Sequence, residues 1–417
     1  MPDNVLVKKF SEIDRILRNI NWNFYPKPQV KIPSAQVFDT RKYHWFPATF
    51  VPEIPYTLIE LLTKPKAQVL DPFLGIGTSY FQALLLNRIP FGVDISKIAT
   101  NFSYSMLQLF DPECDLLRLN ETIRILTQDY DKNYIYDNYF NETKNNPYIY
   151  ELRRWYSADN FNAIIYLLSL ERNATDRHMK AALWICISAL LGRLSNQDRG
   201  WGCIADNVLP KLHQNRIVNV IKVFNDKVSS LLNDVYKFRK WMNNNTVSLC
   251  RKIIEKNTIF HSDIIDFQGI PEESIDLIIT SPPYPNMVDY VMSQRLSYYC
   301  FGYDISWDKN NEIGARNKRW DKLSLDKYKA KMLKANLVNS KLLKQGGLLC
   351  YIMPSFSSDN ENNLKRKTII SKIIFNLDEL QLIREFACER LIPSLRRSHN
   401  MKWATLEKEF IYIYRKV

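Results

Sequence analysis

Glycine is scarce in this chain, at 11 of 417 residues, so two glycines falling close together mark a place where the backbone needs them. The seven cysteines are scattered and odd in number, with no Cys-x-x-Cys pair and no histidine at a zinc-ligand spacing. That excludes a disulfide framework and a zinc ribbon, and it predicts reduced thiols and no bound metal. No uncharged apolar run reaches the ~18 residues of a membrane span, and Met1-Pro2-Asp3-Asn4 lacks a signal-peptide core. The expectation is a soluble, cytoplasmic protein without membrane contact. Acidic residues are also short: 44 Asp and Glu face 57 Lys and Arg, leaving +13, a balance that favours a polyanionic partner.

What is present is globular, with 46% hydrophobic and 24% charged residues. Strand and helix patterns alternate at first: a helix over Glu53 to Leu62, a strand at Gln68 to Leu70, a helix over Ser79 to Leu86 and a strand at Pro90 to Val93. Residues 101 to about 255 then lack strand alternation. Helical spacing recurs there over Asn160 to Leu170, His178 to Leu194 and Ile217 to Trp241, behind a Tyr- and Asn-rich segment, Asp129 to Tyr150, that reads as an irregular loop. Strands return at Thr258 to His261, Ser274 to Thr280, Gly347 to Met353, Leu380 to Phe386 and Glu409 to Tyr414, with a helix over Asp326 to Leu343 between. The expected fold is α/β, a doubly wound, mostly parallel sheet with a large, mainly helical insertion. The boundaries fall at residues 1–100, 101–257 and 258–417.

Two of the rare glycines sit together. The strand ending at Leu70 runs into Asp71-Pro72-Phe73-Leu74-Gly75-Ile76-Gly77-Thr78 and then a helix, where glycine permits close backbone approach and the helix N-terminus offers N–H groups. The turn lacks the Lys-Ser/Thr of a phosphate loop and the third glycine of a dinucleotide fingerprint. The next strand ends in Asp94, followed by Ile95; an acid there can accept both hydroxyls of a ribose, or can cap the helix that follows. A later strand ends in Ser262-Asp263-Ile264, where Asp263 can accept from an adenine amino group or can open an Asx turn.

A buried strand, Ile275 to Thr280, stops at Ser281-Pro282-Pro283-Tyr284. Two prolines fix φ and remove N–H donors, so the turn offers carbonyl oxygens, the Ser281 hydroxyl and the Tyr284 ring. Those are the needs of an exocyclic amine on a flat base, although the same dipeptide is ordinary turn punctuation.

Taken in order, the DPFLGIGT turn, the acid ending the next strand, the Asp after the third and the SPPY after the fourth resemble the amino-methyltransferases that act on DNA. The resemblance covers residues 41–100 and 258–417 and implies a Rossmann-like methyltransferase that uses S-adenosylmethionine. It implies a cofactor site from His44, Phe46 and Pro47 (a segment that packs on the methionine end), Asp71, Pro72, Phe73, Gly75, Gly77, Thr78, Asp94, Ile95, Asp263 and Ile264. It implies a catalytic turn of Ser281, Pro282, Pro283 and Tyr284, with Ser281 and the Pro282 carbonyl accepting the amine hydrogens and Tyr284 stacking on the flipped base. Serine at the head of that turn is typical of N4-cytosine enzymes, whereas N6-adenine enzymes more often carry Asp or Asn. A C5-cytosine enzyme would use a cysteine directly after proline, and no cysteine here follows one.

The insertion is the candidate target-recognition region. Asn196, Gln197 and Arg199 in its polar loop have base-reading side chains; Arg316, Lys318, Arg319, Arg396 and Arg397 are candidates for phosphates. Arg153-Arg154-Trp155-Tyr156 and Arg319-Trp320 add stacking capacity. The implied partner is double-stranded DNA, with a cognate restriction endonuclease encoded nearby. RNA guanine-N2 and protein glutamine methyltransferases resemble an Asn-Pro-Pro-Tyr pattern more closely, and a catalytically silent recognition subunit would have no reason to keep both motifs.

Overall fold

Alternation along the strands is what builds the molecule. In a computed structural model that describes residues 12–20, 22, 37–47, 49, 51–131, 146–197, 209–210, 216–356, 361–375, 380–388 and 406–417, odd and even strand positions face two different cores. Val69, Leu277, Ile279, Cys350, Ile352, Ile411 and Ile413 point to one face, where they meet Ile54, Leu58 and Ile59 of the helix Glu53–Leu62 together with Leu17 and Trp22. Leu70, Ile278, Leu349, Tyr351, Met353, Tyr412 and Tyr414 point to the other, against Ala335 and Leu342 of the helix Ser324–Leu342. Burial on both faces explains the near-continuous apolar runs of the central strands.

The strands are β1 (Gln68–Asp71), β2 (Ile89–Asp94), β3 (Ile259–His261), β4 (Ile275–Thr280), β5 (Leu343–Phe356), β6 (Leu380–Cys388) and β7 (Leu406–Lys416). They form one sheet in the order β3-β2-β1-β4-β5-β7-β6. All pairs from β3 to β5 are parallel, and β7 enters antiparallel between β5 and β6. The expected mostly parallel, doubly wound sheet is therefore the observed one. Strand order reverses between β1 and β4, the switch point beside which such sheets bind ligands.

Between β2 and β3 every regular element among the described residues is a helix. Five helices there, Leu116–Gln128, Ala158–Asn173, Arg177–Leu194, Val220–Trp241 and Asn244–Lys256, each start on an Asp, Ser or Asn whose side chain accepts an N–H three residues on. Each such cap stabilises its helix by about 1 kcal/mol. The helix Lys97–Phe110 runs through the expected boundary at residues 100 and 101. Its Phe102 and Met106 belong to the same buried cluster as Leu84 near the sheet and Leu183, Phe224 and Trp155 of the helical zone. The two parts share one core. Much of the Asp129–Tyr150 segment lies outside the described residues.

One sequence expectation changes here. Trp155 and Tyr156, read as stacking capacity, are core residues at 0% and 4% exposure. They pack inside the helical zone and present no face to a nucleic acid. No helix among the described residues is long and apolar enough to cross a membrane, and none of them cluster as a metal site.

Candidate active site

The C-terminal ends of β1, β2, β3 and β4 open onto one cleft, about 800 Å3 of empty space with its open mouth included. From β1 come Pro72, Phe73, Leu74, Gly75, Ile76 and Thr78; from β2, Asp94, Ile95 and Ser96; from β3, Ser262, Asp263 and Ile264; from β4, Ser281 and Pro283. Phe46, Pro47 and Thr49 form one wall, and Tyr290, Val291, Glu312 and Ile313 another.

The turn after β1 is held by its own polar groups. Asp71 accepts the Phe73 N–H at 3.1 Å, and the Leu74 N–H reaches across to the Val93 carbonyl at 3.0 Å. Gly75 has φ +52° and donates its N–H to Asp94 Oδ2 at 2.7 Å. Gly77, at φ +73°, precedes the helix Thr78–Leu85, and a Cβ there would stand 2.9 Å from both the Phe81 ring and the Ser103 hydroxyl. One glycine serves the ligand side of the turn and the other its packing side. Asp94 Oδ1 accepts the Ser96 N–H at 2.8 Å, so both carboxylate oxygens are fixed by main chain while each retains a second lone pair. The helix Lys97–Phe110 is capped by Ser96, not by Asp94. Asp94 is thereby left for the cavity, oriented to receive hydroxyls.

Asp263 both opens a turn, accepting the Ile265 N–H at 3.1 Å, and lines the cavity. Burial raises its carboxyl, and burial pushes Asp71 and Asp94 each up to about 6. A carboxyl whose folded-state value lies above its unfolded one stabilises the fold below the unfolded value and loses that contribution as pH rises through the folded one. The ligand-free protein is therefore expected to lose melting temperature between about pH 4 and pH 6, and Asp71→Asn to flatten that slope. Calorimetry across this window that gave parallel curves for the two proteins would remove the assignment.

At the end of β4 the Ser281 hydroxyl donates to the Tyr284 hydroxyl at 3.3 Å, which leaves the Ser281 oxygen to act as an acceptor. The Pro283 carbonyl accepts from the Tyr328 hydroxyl at 2.9 Å, and Asn286, at φ +57°, donates its N–H to Gly314 at 2.8 Å. These bonds clamp the turn from the far side.

Phe46, Pro47, Pro72, Phe73, Gly75, Thr78, Asp94, Ile95, Asp263, Ile264, Ser281 and Pro283 thus meet in one cavity, as the motifs imply. Five sequence candidates stand behind its wall. His44 is 3% exposed, with its imidazole held between the Trp45 carbonyl and the Ser188 hydroxyl, each at 2.8 Å, and burial brings it down to about 4. Asp71, Gly77 and Pro282 support the turns from within. Tyr284 is 3% exposed and meets Ser281 through its hydroxyl. The sequence reading missed Thr49, Ser96, Ser262, Val291, Glu312 and Ile313. Ser96 and Ser262 could have been found, because each adjoins a strand-ending acid.

Among the DNA candidates, Asn196 accepts the Arg216 N–H at 2.8 Å, and Gln197 is 8% exposed. The Lys318 ammonium donates to the carbonyls of Asn310 and Glu312 at 3.2 and 3.1 Å. Arg316 begins a short 3-10 helix that reaches Trp320, and Arg319 lies 4.7 Å over the Trp320 ring, itself 80% exposed. Arg199, Arg396 and Arg397 lie outside the described residues.

The cavity fits S-adenosylmethionine. Phe73, Ile95 and Ile264 offer apolar walls for a flat base, Asp263 an acceptor for its amine, Asp94 an acceptor for ribose hydroxyls, and Gly75 an approach with no side chain in the way. A family profile described as DNA methylase, of the N6/N4 type, matches residues 8–104, which hold the β1 and β2 ends. The chain is also 24% identical over 296 residues to the Type II methyltransferase M.MvaI of Kocuria varians, an alignment covering 68% of this chain. It spans 62% of that relative's length. With the glycine turn, the strand-ending acids and the Ser-Pro-Pro-Tyr turn gathered on one cleft, the chain is similar to the DNA amino-methyltransferases, whose cofactor is S-adenosylmethionine.

Proposed function

We propose that this protein methylates the N4 amine of a cytosine flipped out of duplex DNA. The observation that carries the reading is Ser281, an acceptor at the head of the β4 turn, lining the same cavity as the glycine turn and Asp94. Bound S-adenosylmethionine supplies an electrophilic methyl group on a sulfonium. Asp94, Asp263 and the Gly75 main chain would hold the nucleoside half of the cofactor. Ser281 Oγ would accept one hydrogen of the target amine, and the Pro282 carbonyl the other once the turn opens, since Pro282 stands behind the cavity wall as Tyr284 does. Both bonds would draw the nitrogen toward tetrahedral geometry and free its lone pair to attack the methyl carbon as the S–CH3 bond breaks, leaving S-adenosylhomocysteine and a proton that passes to water, without a covalent enzyme intermediate.

Extruding the base costs a few kcal/mol, which the cavity must recover. Pro283 and Tyr290 are flat groups that line it, whereas stacking on Tyr284 requires the turn to open. Arg316 and Arg319 are proposed to meet phosphates beside the cleft, and Trp320 to add a stacking face. Likeness to a Type II methyltransferase supports a place in a restriction-modification system; a cognate endonuclease as partner and a cytoplasmic location are proposed with it. The second reading is N6-adenine methylation on the same scaffold, since the matching profile is of the N6/N4 type.

One assay tests these readings. Mixed-sequence duplex DNA is incubated with methyl-labelled S-adenosylmethionine and digested to nucleosides. Label in N4-methylcytosine is expected; label in N6-methyladenine selects the second reading. Cofactor binding with no label at all identifies a silent recognition subunit.

A further inference from the structure

Glu312 lines the cavity, is 3% exposed, and belongs to none of the motifs. It follows the short helix Ser306–Asn311, and its Oε1 accepts the Tyr290 main-chain N–H at 2.6 Å. Oε2 is buried and makes no hydrogen bond of full geometry among the described residues, although the Val291 main-chain N–H lies near enough to favour the ionised carboxyl. Lys318, the nearby cation, directs its ammonium at main-chain carbonyls, that of Glu312 included, at 3.1 Å. Asp289 adds like charge, and burial pushes the carboxyl up to about 8. A buried carboxyl with an unmatched oxygen is costly unless a ligand completes it.

The direction of the ligand follows from the strand order. Asp263 follows β3 and Asp94 ends β2, so a nucleoside held by them lies over that side of the sheet. Its far end then runs across β1 toward β4, where Glu312 and Tyr290 face Phe46; the Tyr290 and Phe46 rings stack at 6.4 Å. The group needed there is a donor with positive charge. The target amine already has Ser281, and once methylated it loses its proton readily to water. We propose that Glu312 is a binding residue for the ammonium group of the amino-acid end of S-adenosylmethionine. The proposal rests on the methyltransferase reading and names a contact that the motifs do not.

Binding without DNA tests it. S-adenosylhomocysteine keeps the amino-acid end; 5′-methylthioadenosine lacks it. By isothermal titration, Glu312→Gln is expected to weaken S-adenosylhomocysteine about 10–100-fold, the scale of a lost charge-assisted bond, and to leave 5′-methylthioadenosine within about two-fold. Wild-type affinity for S-adenosylhomocysteine is expected to rise from about pH 6 to about pH 8, because the carboxyl must ionise to receive the ammonium. Asp289, Lys318 and Tyr290 are the other charged or titratable groups facing it. The glutamine variant should show no such rise. An isosteric glutamine leaves packing intact, so its melting temperature at pH 8 should equal or exceed the wild-type value. Equal S-adenosylhomocysteine affinity in wild type and variant overturns the Glu312 assignment alone. Failure of the wild type to bind either nucleoside overturns the methyltransferase reading, and Glu312 with it.

Discussion

Ser281→Ala is expected to lower kcat about 10²–10³-fold, the usual loss for one preorganised polar group aimed at a reacting centre, with S-adenosylhomocysteine affinity kept within about two-fold. The hydroxyl donates to Tyr284, so its oxygen faces the cavity as an acceptor, and alanine removes that acceptor without disturbing Asp94 or the glycine turn. An interaction made with the reacting amine should appear in kcat and in kcat/KM for DNA alike. Tyr284→Phe should give a smaller loss, because the acceptor remains while the group that orients it is gone. Single-turnover kinetics with labelled cofactor separates the two. Full activity in Ser281→Ala would remove the serine from the chemistry and with it the main argument for cytosine.

How much of this was legible in the sequence follows the range of the forces involved. The first four strands could be read because they are short apolar runs that stop at or just before Asp71, Asp94, Asp263 and Ser281, each marked by local punctuation. Helices with broad apolar faces, such as Arg177–Leu194, could be read within a residue or two. Asn244–Lys256 buries only Thr246, Cys250 and Ile253, a stripe too narrow to stand out beside its polar residues. His44 was placed in the cavity because it neighbours Phe46, but its partner Ser188 lies 144 residues away, and that distant contact turns the imidazole inward. Glu312 carried no signal either. Its burial comes from the turn after β4 folding over it, and no spacing within the sequence announces such a contact.

Asp308→Ala is expected to cost about 3–5 kcal/mol of stability, since buried donors that lose their acceptor cost about 1–3 kcal/mol each. Asp308 is 1% exposed and lies 211 residues from Lys97 and 47 from His261, though only 10 from Tyr298. Its carboxylate accepts the Lys97 N–H at 2.8 Å, the Tyr298 hydroxyl, and His261 Nε2 at 3.1 Å. Lys97 is the first residue of the helix Lys97–Phe110, whose leading N–H groups have no partner within the helix and whose positive end favours an anion. Tyr298 also meets the Ser96 hydroxyl at 3.3 Å, so the same carboxylate braces the turn Asp94-Ile95-Ser96 from behind. The stability loss should therefore be accompanied by roughly ten-fold weaker S-adenosylhomocysteine binding, about 1.4 kcal/mol, as the Asp94 carboxylate loses its fixed orientation. His261→Ala should cost less than about 1 kcal/mol, because a part-exposed imidazole can be replaced by water. Asp308→Asn, which keeps one acceptor but turns an amide toward the donors, should fall between them. Urea unfolding with unchanged m-values gives the ranking. A wild-type midpoint for Asp308→Ala would mean that the helix start and the cofactor turn are held by Ser96 alone.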